Sequence, residues 1–534
     1  MIKKICIINE KYNIKSEKKK ELYMQLRNLS VPKKGITLNL QHMDIIDIVS
    51  SKSIQELTLR IQRIKQLPNS IMNDIINKNK DDLEKAKIEL VSTYKAELLS
   101  DVINQNSLLV KERIVKHLSE IVLKGYDKNL YPMYIDKINK LIEMETIEQT
   151  TKFINKNFPE NIANQIYQVI SDFMPVEKDG IRMTSYDAFV KLSNELKNYN
   201  LFNLDDIIKY KSYVTLNGTF NRNKFRRALD FARERNATVR LNALIFYMDT
   251  PNEVNSLKSN QKNKKYVLSL LMKYIDDIID VIKNYQEEND TVIVDTIEVL
   301  NEPLIRFQDG YNGFYCPRSD VHRYRLATKR KWLTNDNLAP GWLRFLDMED
   351  ICKIYEHIKN ELPEANLMVN ECFLEKRKKH QAFMHYVVDY MIEYEQKHNT
   401  CIFDSIGTQM HLHAEEPICE IEDSLERFIF TDKKIEITEL DVYIDTQTIR
   451  VTTKKDLNDY KVYYMDSLFE LFEKYKQLIS GITIWSISDY MNFMIKKVNE
   501  SLINNDRYER ERRPYVSNIY GGYYDESMNE RNYK

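Results

Sequence analysis

The feature that most constrains this chain is a change of periodicity near residue 176. Beyond it, short apolar runs alternate with longer amphipathic stretches. The runs are Val239–Phe246, Val292–Leu300, Leu367–Asn370, Ile402–Leu412, Ile435–Leu440 and Ile482–Ile487. Between them lie helical patterns such as Lys224–Glu234, Lys265–Tyr285, Met348–Glu361, Lys378–Gln396 and Asp466–Lys476. Strands separated by whole helices cannot be joined as hairpins, so they are expected to lie parallel with helical crossovers. With Lys211–Leu216 as a candidate seventh strand, the expectation is an α/β fold, a (β/α)8 TIM barrel over residues 176–534, with its first strand unplaced. A doubly wound sheet is the alternative. No GxGxxG or GxxxxGK[ST] follows any of these runs, so the nucleotide-binding version of that sheet lacks its usual support.

Residues 1–175 are expected to form a mainly α-helical N-terminal domain. Ile54, Leu57, Ile61 and Ile64 repeat at helical spacing, as do Leu83, Ala86, Leu90 and Tyr94, and then Ile114, Leu118, Ile121 and Val122. Met1–Ile8 and Gly35–Leu40 are ambiguous and could each be a strand. Gly and Pro are scarce, 11 and 12 of 534 residues, which argues against a β-sandwich with its frequent turns.

Lys and Arg number 79 against 80 Asp and Glu, a net charge of −1, so no global field favours nucleic acid or an anionic membrane. None of the six cysteines forms a CxxC pair, and free thiols are expected. The apolar run Ile5–Ile8 is too short for a signal peptide, and no run approaches a membrane span. These readings predict a soluble, cytoplasmic protein, with export by another route left open. A protein partner for the N-terminal helices is possible. His411 and His413 share a strand face, but no carboxylate pattern completes a metal site, so neither metal nor cofactor is expected.

In a parallel barrel the chemistry sits at the C-terminal ends of the strands. Two runs end there in a glutamate. Glu302 follows Val292–Leu300 with Asn301 beside it, and Glu439 closes Ile435-Glu-Ile-Thr-Glu439. Two carboxyls facing across a barrel mouth are what a retaining glycosidase requires. One protonates the leaving oxygen and the other attacks the anomeric carbon.

The local sequences around these acids carry a resemblance. Ile437-Thr-Glu-Leu-Asp-Val442 is similar to the nucleophile strand of glycoside hydrolase family 10, the endo-β-1,4-xylanases and relatives. Val299-Leu-Asn-Glu302 resembles the acid/base strand of that family. In chain order, Phe225–Pro251, Pro363–Leu367, Phe403–Leu412 and Gly481–Asp489 resemble further elements, so the likeness covers roughly residues 180–500. It implies Glu439 as nucleophile and Glu302 as acid/base, with Asn301 holding the sugar 2-hydroxyl. It implies that His411, with Gln409 before it, supports the nucleophile, that Asp441 orients His411, and that Trp485 floors the sugar beside the cut. The implied function is retaining, endo-acting hydrolysis of β-1,4-linked glycan, xylan or a relative.

Departures from the pattern cluster in the sugar subsites. Asn242 and Phe246 stand where the family has His and Trp, Tyr247 and Asp249 where it has His and Gln, and Phe493 replaces a late Trp. Strand five ends in Asn370-Glu-Cys-Phe373 rather than a tyrosine-bearing sequence. The Asn and Lys pair expected after strand two is not found, Asn217 being a weak candidate. Residues 304–341 form an aromatic and basic insertion, including Arg318, Arg323 and Arg325, either a lid for an acidic or phosphorylated glycan or a surface insertion with solvated charge. Two other classes stay open: a glycan-binding barrel with weak or no catalysis, and a helical interaction protein with a passive barrel.

Overall fold

A computed structural model describes residues 32–64, 69–105, 147–159, 185–215, 218–307, 314–318, 341–445 and 454–485, with a few isolated positions elsewhere. The described residues fall into two compact units. One carries the strands, and the other carries helices between residues 44 and 194.

Eight parallel strands close on themselves. They are β1 (Lys33–Leu38), β2 (Leu201–Leu204), β3 (Thr238–Leu241), β4 (Val294–Asn301), β5 (Asn366–Glu371), β6 (Ser405–Thr408), β7 (Lys434–Asp445) and β8 (Ile479–Ile484). Each pairs with the next, from Gly35 opposite Leu201 through Ile435 opposite Ile479. The ring shuts where Lys33 pairs with Gly481 and Ile36 with Ile484. Closure excludes the doubly wound sheet, which would leave two edges.

The crossovers follow the expected spacing: Arg222–Arg233, Gln261–Asn289, Met348–Glu361, Arg377–His398 with a π-helical turn at Met384–Val388, Ile418–Phe428 and Lys454–Lys474. Their starts are chemically marked. Asn260 accepts from the Asn263 amide at 2.9 Å. Asp347 and Asp350 exchange side-chain and backbone bonds in a reciprocal cap at 3.0 Å each.

Two expectations are corrected. Lys211–Leu216 is not a strand, since Tyr210–Tyr213 is a helical turn and the strand lies earlier, at Leu201–Leu204. Its four residues are all buried, too short a run to show a period. The barrel also does not begin after residue 175. Its first strand is Lys33–Leu38, within the ambiguous Gly35–Leu40 region, and the helices follow that strand in the chain rather than preceding the barrel. A single strand with no crossover helix of its own pattern carries no alternation to read. Met1–Ile8, the 114–122 stripe and Asn217 lie outside the described residues.

In the helical unit the stripes are buried as their spacing implies: Leu57, Ile61 and Ile64, then Ala86, Leu90 and Tyr94, with Ile54 and Leu83 only half-buried. Tyr94 donates to Asp44 Oδ2 at 2.7 Å, which satisfies a buried phenol.

The barrel interior is unusually polar for a fold that is commonly filled by branched aliphatics. Near its N-terminal end, Glu436 Oε1 accepts from Thr296 at 3.1 Å and from Asn366. One level up, Arg240, fully buried, donates to Asn203 Oδ1 at 3.0 Å and across the barrel to the Thr438 carbonyl at 2.6 Å. These bonds join β3 to β2 and β7, so the polar layer also sets the spacing of the strands above it.

Candidate active site

The proposed acids stand at the C-terminal end of the barrel, on β4 and β7. β4 stops at Asn301, and the chain turns at Glu302, whose φ of 49° is left-handed. That conformation is uncommon for a non-glycine residue, and two backbone bonds and one from a side chain hold the turn. The Glu302 amide donates to the Asn370 carbonyl at 3.0 Å. The hairpin of Leu304–Phe307 and Phe314–Pro317 then brings the chain back. Arg318 donates through its amide to the Pro303 carbonyl and through Nε to the Glu302 carbonyl, both at 2.9 Å. Its guanidinium carbon lies 3.5 Å from the centroid of the Tyr247 ring.

Gln409 reaches the same acid from β6. Its Nε2 lies 3.1 Å from Glu302 Oε1 and 3.3 Å from Asn301 Oδ1. Met410 next to it has a φ of 56°, a break that lets Gln409 face Glu302 while the following His411 faces Glu439.

Glu439 is almost fully buried on β7, where the register against β8 shifts. His411 Nε2 is 2.9 Å from Glu439 Oε2, and His411 Nδ1 is 2.7 Å from Asp441 Oδ1. Burial alone would lower the imidazole pKa. The charge and hydrogen bond of Asp441, with those of Glu439, outweigh burial and push it up to about 9. Trp485 follows β8 and turns its ring edge to His411 at a centroid distance of 6.0 Å.

Two residues tie the two acids together. Asn370, at the end of β5, accepts from the Glu302 amide through its carbonyl and donates to Glu439 Oε1 at 3.2 Å through Nδ2. Gln409 holds Glu302 with its side chain and accepts from the Glu439 amide at 3.0 Å with its carbonyl. Of the residues singled out from the sequence, Asn301, Glu302, Gln409, His411, Glu439, Asp441 and Trp485 are therefore brought together. Asn242 is buried and donates to Glu298 Oε2 at 3.1 Å, one level below.

The chain belongs to glycosyl hydrolase family 10. The model of that family matches residues 182–517, well over half of the chain. The family match begins after β1 and the helical segment that follows that strand in the chain. Among curated relatives, the endo-1,4-beta-xylanase A of Thermoanaerobacterium saccharolyticum is 23% identical over 371 residues, 68% of this chain and 28% of that protein. The exoglucanase XynX of Acetivibrio thermocellus is 23% identical over 344 residues, 63% of this chain and 28% of that protein. The chain thus spans little more than a quarter of either relative. Among solved structures, xylanase 10C of Cellvibrio japonicus with xylopentaose aligns with a TM-score of 0.48 and 17% identity, over 64% of this chain and 61% of that one.

Within this family 10 barrel, the structure adds residues that sequence reading missed. Asp205, Asp206 and Lys209 follow the true second strand. Lys209 Nζ lies 2.5 Å from Asp205 Oδ1, 3.2 Å from Asp206 Oδ1 and 5.9 Å from the centroid of the Phe246 ring. Burial raises the Asp205 carboxyl and the Lys209 charge opposes that rise. The misplaced strand two concealed this lysine. Asn370 was visible only as part of a departure from pattern. Of the aromatic and basic insertion, Arg318 is described, whereas Arg323 and Arg325 lie outside the described residues.

Proposed function

We propose that this chain is a retaining, endo-acting glycoside hydrolase that cleaves β-1,4-linked glycan, xylan or a related polysaccharide. The observation that carries the reading is the double tie between Glu302 and Glu439 through Asn370 and Gln409. Two carboxyls held to a common frame keep a fixed separation, which double displacement demands.

In this reading Glu439 attacks the anomeric carbon while Glu302 gives its proton to the departing oxygen. Glu302 then takes a proton from water, which opens the glycosyl ester on Glu439 with a second inversion. His411 presents an N–H to Glu439 Oε2, and Asp441 fixes the imidazole that does so. As Glu439 Oε1 bonds to the sugar, Asn370 loses a charge-assisted partner and His411 keeps one, so the leaving carboxylate is received by preset donors. Asn301 holds the 2-hydroxyl, and Trp485 provides an apolar floor for that sugar. The name of the Thermoanaerobacterium relative, a xylanase, supports the substrate class.

Trapping with a panel of 2-fluoro glycosides, followed by peptide mapping, tests this. Label on Glu439 is the expected result and identifies the sugar. An intact, substrate-binding chain that takes no label and releases no product would make it a glycan-binding barrel instead.

A further inference from the structure

Glu298 lies in β4, four residues before Glu302, and is completely buried. Its Oε2 accepts from Asn242 Nδ2 at 3.1 Å. Its Oε1 has no hydrogen-bond partner, and neither does Asn242 Oδ1 beside it. Among the described residues no cation lies within ion-pair distance of it. Arg240, whose charge acts on it, bonds Nε to Asn203 and Nη2 to the Thr438 carbonyl, and its buried Nη1 makes no hydrogen bond to Glu298 or to any other group. An ionised carboxylate in such a place would carry a desolvation cost that no ion pair offsets.

Groups face Glu298 from every side: Arg240 on β3 and Asn242 just after it, Asn370 on β5, Glu439 on β7, Lys209 after β2 and Tyr355 on the helix Met348–Glu361. Burial and the charge of Glu439 push the Glu298 carboxyl up to about 8, against the opposing pull of Arg240, the Asn370 amide and Lys209. That amide is the one that donates to Glu439.

We propose that Glu298 is a positioning residue, a neutral carboxylic acid held beneath Glu439 so that Glu439 is the only anion competing for the Asn370 amide. This rests on Glu439 as the nucleophile. When Glu298 ionises, a second carboxylate draws on the same donor, Glu439 loses its fixed orientation, and glycosylation slows. Activity therefore has an alkaline limb that does not come from Glu302.

Two measurements on the full chain test it. The first needs no substrate. The infrared difference spectrum at neutral pH is expected to contain the C=O stretch of a buried protonated carboxyl, lost on alkaline titration and missing from Glu298→Gln. The second is the pH profile of kcat/KM on an aryl glycoside whose leaving group needs no protonation, which removes the limb of Glu302. There Glu298→Gln is expected to move the alkaline limb up by about one pH unit or more, whatever the height of its plateau. Should Glu298→Gln not fold, Glu298→Asp serves instead, with the infrared band retained and displaced. Absence of the band in the wild-type chain, its survival in Glu298→Gln, or an unmoved limb would overturn the proposal. A chain that shows the band and cleaves no glycoside would instead sink the hydrolase reading alone.

Discussion

Gly407 on β6 lies so close to Asn370 on β5 that a methyl group on Gly407 would sit 2.4 Å from Asn370 Oδ1 and 2.9 Å from Thr438 Cγ2. The missing side chain is what lets the Asn370 amide point at Glu439. Gly407→Ala is expected to push that amide aside, with a stability loss of about 1–3 kcal/mol from overpacking. The loss in kcat is expected to be larger than the stability change explains. Denaturant unfolding beside turnover at saturating substrate checks this, and a variant that loses stability but keeps kcat would refute it.

The His411–Asp441 contact predicts a pH dependence with a definite sign. The imidazole is raised from 6.5 to about 9 in the folded chain. Its stabilisation is therefore complete below about 6.5 and drains away as pH rises through about 9, on the order of 3 kcal/mol at most. Asp441→Asn removes the principal charge, so the decline of stability between those values is expected to flatten. Urea midpoints measured from pH 6 to 10 provide the check.

Lys209 is predicted to serve two separable ends. Lys209→Met strips Asp205 of its counter-charge and is expected to cost about 2–4 kcal/mol. The double variant with Asp205→Asn is expected to recover most of that stability. Catalytic efficiency is expected to stay low in the double variant, because the ammonium itself is gone, and its return would show that Lys209 serves only to neutralise Asp205.

Arg318 clamps the backbone of Glu302 from the hairpin that follows it. Arg318→Ala is expected to lower kcat about tenfold through misplacement of the acid, with little change in melting temperature because the side chain is half-buried. Comparing leaving groups sharpens the test. Poor ones, which depend on protonation, are expected to suffer more than good ones.

Much of this site was legible because its chemistry sits in local sequence. Glu302 and Glu439 each close an apolar run, whereas Gln409, His411 and Asp441 were singled out through the family resemblance of the strands that carry them. What stayed hidden was hidden for physical reasons. β2 has only Leu201–Leu204, all buried, so no alternation marks it, and Tyr213, Val214 and Leu216 nearby mimicked a strand. With β2 misplaced, Lys209 had no strand end to belong to. Glu298 sits inside an apolar run as a charged letter without a motif, and its meaning depends on β3, β5 and β7, which only tertiary structure assembles. Asn370 acts half through its backbone carbonyl, a contribution that residue identity does not encode.

The pairing of Lys33 with Gly481 also imposes an order of events on the ribosome. β1 emerges among the first residues of the described chain, yet one neighbour, β2, follows only after the intervening helices and the other, β8, near the end. Until then β1 has two open edges, the condition under which strands pair with the wrong chain. Helices made directly after it can form from local contacts while the strand waits, since closing long loops is the slow part of building parallel sheets. Nascent chains halted before residue 479 are therefore expected to hold a folded helical unit and an unsealed barrel.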